Sequence, residues 1–209
     1  MSLIASNRQK HYPTQWYAYS ALIDKGIGAK TIGFALAGDD VSRFAARYRV
    51  AKAFQGITLD GYSGDTITGY NSLLRVFLTW SAFERFLRVI GHTQTSIEPL
   101  LTPYRPNDCL AALRKDDIGK TFYDFVAPRV NQDHQSRLQE FSNGTLANPT
   151  FLASAVRHLF AHGHLTAHAG GSSPEHVDQV CEILVYFHMS VMDGEFTRIV
   201  ETFKKATNL

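Results

Sequence analysis

The sequence is short of the residues that staple a small protein together. Only two cysteines, Cys109 and Cys181, occur in 209 residues, too few for a disulfide scaffold or a four-cysteine zinc site, and such sparing use points to the cytoplasm. Long apolar runs are missing as well, and no stretch approaches the roughly 18 residues a membrane span needs, so no membrane partner is expected. The best early apolar segment, Ile27 to Ala37, is broken by Lys30 and lies too far in for a secretory leader. Charge of one sign is also lacking: the formal net charge of +2 provides no strong global field for a polyanion, so nucleic-acid binding would need a local patch. Several catalytic signatures fail outright. There is no GxSxG nucleophile elbow and no HExxH zinc motif. The segment Gly26-Ile27-Gly28-Ala29-Lys30-Thr31 misses the phosphate-loop pattern, because Ala29 stands where a glycine must precede Lys30, and Asp24 occupies the earlier glycine position.

What is present is an ordinary globular composition, 44% hydrophobic and 12% aromatic, with 14 Phe, 9 Tyr and 2 Trp to bury. That excludes disorder as the dominant state. Arginine outnumbers lysine by 13 to 8, and there are nine histidines, of which His158, His162, His164 and His168 fall within eleven residues.

Periodicity predicts an all-α bundle with a long C-terminal helix. Residues 1–38, with Tyr12, Trp16, Tyr17 and Tyr19 beside a glycine-punctuated stretch, read as an N-terminal extension, and residues 39–209 as the helical domain. Asp39-Asp40 can cap and charge-stabilise a helix from Val41 to about Gln55. Gly61 to Gly69 reads as a loop. Tyr70 to Ile90 is the clearest amphipathic helix, closed by Gly91. Shorter helices follow around 107–114 and 117–127, broken by Pro103, Pro106 and Pro128, and another from about 132 to 141. Asn148-Pro149 opens a helix that ends at His162-Gly163, and Ser173-Pro174 opens one of some thirty residues. Both cysteines fall in apolar helical settings and read as core.

One segment carries chemistry: Ala155-Val156-Arg157-His158-Leu159-Phe160-Ala161-His162-Gly163. At 100° per residue, Leu152, Ala155, Val156, Leu159 and Phe160 share one face, while Arg157, His158, Ala161 and His162 share the other. Arg157 and His162 lie about 140° apart, flanking the polar face, so a partner surface such as a second copy would be needed to close them on one phosphate. The bare Arg-to-His spacing is common in a chain this rich in both residues. Arg129 to His134 also matches, without the polar residue after Arg or the Ala-His-Gly ending, and His164 is a second choice for the histidine of Arg157.

Arg157-His158-x-x-Ala161-His162-Gly163 resembles the mark of the HEPN superfamily of small helical proteins: Arg, a polar residue, then His after four to six intervening residues near the end of a bundle helix. Trp80-Ser81-Ala82-Phe83-Glu84 is similar to an early bundle helix of such proteins. The resemblance covers about ten residues closely and 40–205 only in architecture. It implies a HEPN-like fold and a metal-independent endoribonuclease, of toxin or defence type, with Arg157, His162 and His158 as catalytic residues, Glu84 and His164 as binding residues, and no cofactor. It also implies RNA as the partner, a homodimer that brings two Arg/His sets into one cleft, and room for an antitoxin-like protein partner. His158 stands where Asn is more frequent, and would either orient a neighbour or add a second charge. Glu84 is either a partner of the motif or a solvated helix charge, and Arg157 is either catalytic or a surface ion-pair former with Glu175 or Asp178. Two other readings use the same residues: a noncatalytic helical module binding RNA, nucleotide or protein, and a His-rich metal-binding bundle.

Overall fold

The computed structural model describes residues 10–209; the first nine residues of the expected extension lie outside them. Every regular element among the described residues is helical, as the periodicity predicts. In chain order these are α1 (Trp16–Asp24), α2 (Ala29–Ile32), α3 (Gly38–Ala53), α4 (Gly64–Val89), α5 (Glu98–Leu101), α6 (Pro106–Asp116), α7 (Thr121–Val126), α8 (Gln132–Asn143), α9 (Thr150–Ala161) and α10 (Pro174–Thr207), with single 3₁₀ turns at Thr102–Tyr104, Ala127–Arg129 and Ala169–Gly171. None of these helices is long and apolar enough to cross a membrane.

The chain forms two compact units, and neither boundary falls at residue 38. Of the described residues, the first comprises 10–54, 81–97 and 189–209; the second comprises 55–80 and 98–188. Both α4 and α10 contribute to each.

In the first unit the residues expected as an extension belong to the core. Tyr19, Phe34, Phe44 and Phe196 are buried. The Phe196 ring lies 5.3 Å from Phe34, 5.7 Å from Tyr19, 6.0 Å from Phe44 and 6.1 Å from Trp16, centroid to centroid. Asp193 ties the start of this segment down by accepting hydrogen bonds at 2.7 Å from both the amide and the hydroxyl of Thr14. It also accepts from Tyr48, whose phenol is pushed up chiefly by burial and then by this carboxylate. The aspartates at the start of α3 charge-stabilise it, as expected, but do not cap it. The N-cap is Ala37, with no side-chain cap bond, and Asp39 and Asp40 lie in the first turn. There they favour the helix dipole, while Asp40 also accepts from Arg85 and from Arg43.

In the second unit α4 begins at Gly64, six residues before the predicted start. The signal lies in Ser63, whose hydroxyl accepts from the Thr66 amide at 3.3 Å and from or to the Thr66 hydroxyl at 2.9 Å. Gly69, which argues for a loop by propensity, is required by packing: a Cβ there would lie 2.8 Å from the Ala167 Cβ and 3.1 Å from its Cα. Gly69→Ala is therefore expected to destabilise by about 1–3 kcal/mol in urea unfolding, since overpacking outweighs the gain of nearly 1 kcal/mol in helix propensity. Cys109 and Cys181 are buried free thiols, as expected, and burial raises both, Cys109 to about 12.

Candidate functional site

The site is built on the end of α9. Leu152, Ala155, Val156 and Leu159 are buried, so packing fixes the rotation of the helix and its polar face turns outward. The helix stops in a Schellman arrangement: the His164 amide donates to the Leu159 carbonyl at 2.9 Å and the Gly163 amide to Phe160 at 3.1 Å. Gly163 supplies the positive φ of +73° that this turn needs. The turn sets His162 at the C-cap and folds His164 back toward the same end. His158, His162 and His164 are exposed and Arg157 is half-buried.

The rings of His158 and His162 lie 4.5 Å apart at 57°. Desolvation, followed by the positive fields of His162, Arg157, His134 and His164, holds the His158 imidazole below its usual range. That shift favours the neutral imidazole, the form with an open lone pair, over a second charge at this position. The Arg157 guanidinium carbon lies 6.0 Å from the Phe77 ring centroid, and Phe77 meets Phe160 edge-on at 6.4 Å. No carboxylate among the described residues pairs with Arg157; Asp178 instead accepts from the Ser72 hydroxyl.

His168 and His176 are committed elsewhere. His168 hydrogen-bonds the Thr66 hydroxyl at 3.4 Å. His176 lies 3.0 Å from Asp117, whose two carboxylate oxygens also accept from the amides of Phe122 and Tyr123 at the start of α7. The competing Arg129–His134 match is structural. His134 donates through Nε2 to the Phe151 carbonyl at 2.7 Å, and Arg129 donates to the Phe125 carbonyl at 2.6 Å with its guanidinium 3.8 Å above the Phe125 ring. Glu84 is exposed and sits 3.7 Å from Arg88 one turn on, which is the helix-surface alternative. No group of three or more side chains able to hold a metal ion comes together among the described residues. His158 and His162 supply two.

Residue spacing gave no hint of His188, which is buried against Trp80 and donates through Nδ1 to the Leu184 carbonyl at 2.6 Å. Burial lowers its pKa from 6.5 to about 4. The unfolded chain thus binds the proton more readily, so this stabilising contribution is full above about pH 6.5 and is lost as pH falls toward 4. Acidification across that window is expected to cost about 3 kcal/mol at this residue. Urea unfolding of His188→Gln beside wild type should show a shallower loss between these pH values.

No family model matches the chain, and neither a curated protein nor a solved structure is significantly similar to it.

Proposed function

We propose that the protein is a metal-independent endoribonuclease of HEPN-like type, acting through Arg157 and His162. The observation that supports this is the set Arg157, His158, His162 and His164 at the capped end of one helix, with Arg157 free of any carboxylate partner among the described residues. A structural arginine on a helix surface commonly pairs with acid; one left open is available for phosphate.

In this reading, a histidine removes the proton from a ribose 2′-OH, and O2′ attacks the adjacent phosphorus. The bond from phosphorus to the 5′ oxygen breaks, and that oxygen takes up a proton. Arg157 stabilises the charge gathering on the phosphoryl oxygens. His158, whose ring lies against that of His162, orients it. A second copy of the chain completes the cleft by adding its own Arg and His.

The test is cleavage of varied RNAs by the full chain in EDTA, with the product ends identified and the oligomeric state measured by light scattering. A dimer that leaves 2′,3′-cyclic phosphate and 5′-hydroxyl ends is expected. Failure of the wild type to cut any RNA would transfer the same polar face to the noncatalytic binding reading.

A further inference from the structure

The net charge of +2 conceals a segregation. Residues 10–54, 81–97 and 189–209 hold twelve Lys and Arg against seven Asp and Glu, a net of +5. Residues 55–80 and 98–188 hold eight against twelve, a net of −4. Helix α9, with Arg157 and His162, belongs to the acidic unit. A polyanion is drawn by long-range charge to the other one.

The basic unit concentrates that charge on α3, where Arg43, Arg47, Arg49 and Lys52 fall within ten residues. Its inner face is fixed by Val41, Phe44, Ala45, Tyr48 and Ala51, all buried. Arg43, Ala46, Arg47, Val50 and Ala53 are exposed on the outside. On a helix, Arg43 and Arg47 form one basic edge and Arg49 stands about 120° away from Arg43, with the small side chains of Ala46 and Ala53 between them. A chain of phosphates can settle into that shallow strip and reach arginine on both sides. The acids nearby do not cancel it. Asp40 is shared between Arg43 and Arg85, Asp39 lies only at the helix start, Asp193 and Glu201 near the aromatic edge are taken up by Thr14, Tyr48 and Gln15, and Arg47 has no ion-pair partner among the described residues.

A second feature joins the strip. Arg49 donates to the Tyr12 hydroxyl at 2.6 Å, and its guanidinium lies 5.0 Å from the centre of that ring. Tyr12 is stacked on Trp16 at 5.0 Å and 8° from parallel, and both rings are only half-buried. An arginine edge beside a parallel aromatic stack is the combination that holds unpaired bases.

We infer that the outer face of α3, with Tyr12 and Trp16, is a binding site for single-stranded RNA separate from the Arg157/His162 site. Phosphates lie on Arg43, Arg47 and Arg49, and bases stack against the aromatic edge. Single strands fit because stacking needs unpaired bases. An anionic membrane fits poorly, since the apolar face of α3 is turned into the core and Val50 is its one exposed large hydrophobic residue. The inference stands whether or not the other site cuts RNA.

The test is fluorescence anisotropy of a labelled short oligouridylate in EDTA with the full chain carrying His162→Ala, so that no cleavage intervenes. Adding Arg43→Gln and Arg47→Gln, both exposed, should weaken binding roughly tenfold and lower the log–log salt slope by about 1.4, the value for two phosphates on a single strand. Adding Arg105→Gln instead, an exposed arginine of the other unit, should change affinity less than twofold, and oligouridylate should quench Trp16 emission in a Trp80→Phe background. Three results would each overturn the inference: unchanged affinity in the double arginine variant, a loss with Arg105→Gln as large as that with the α3 pair, or binding to phosphatidylserine vesicles with none to oligouridylate. Absence of cleavage by the wild type with intact α3-dependent binding would count against the ribonuclease alone.

Discussion

Under the proposed ribonuclease reading, His162→Ala is expected to lower the rate of RNA cleavage by roughly a hundredfold to ten-thousandfold, the range for removing a general acid or base. The folded state is retained, because His162 is exposed and its backbone bonds at the end of α9 do not depend on the imidazole. Arg157→Ala is expected to lose about a hundredfold or more, because the cation that would stabilise the phosphoryl oxygens is gone. Arg157→Lys restores only part of it, since a point charge replaces a planar fork. His164→Ala separates the two histidine assignments. It lies outside the helix, on the turn that Gly163 creates, and should leave most of the activity. Single-turnover rates with one RNA, beside far-ultraviolet circular dichroism of each variant, check these values. Equal losses at His162 and His164 would mean that the two act as a unit, and loss at His164 alone would move the catalytic assignment to it.

Phe196→Ala should remove about 3–5 kcal/mol of stability, the cost of emptying a large aromatic site in a packed core. The ring is fully buried and meets four other aromatic rings within 6.1 Å. Its loss takes away both area and edge or tilted ring contacts. Small domains have only about 5–15 kcal/mol in all, so the variant is expected to melt far below wild type or fail to fold. Phe196→Leu keeps most of the volume and should cost less than half as much. Chemical unfolding of the two variants measures the difference. Similar stability in Phe196→Ala and wild type would show that residues 16–34 do not depend on this ring.

Helical periodicity was legible where it is a local property. The predicted helices at 70–90, 132–141 and 149–162 and the long C-terminal helix all occur, with ends shifted by a few residues. The start of α4 was hidden because glycines at 64 and 69 carry a loop signal that a packing contact with Ala167 overrules. The outward face of α9 was legible too, since apolar residues on one side of a short helix dictate which side is buried.

The sequence by itself determined the all-helical class, the absence of staples, and the grouping of Arg157, His158 and His162 on one helix face. Each follows from spacing along the chain. Tertiary structure alone decided what long-range contact decides. It committed Arg129 and His134 to backbone carbonyls, set Glu84 beside Arg88, and made residues 16–34 part of a core with Phe196, over 160 positions away. It also sorted a nearly neutral composition into a basic and an acidic unit. Composition counts charges without position, and the field a nucleic acid meets depends on where folding puts them.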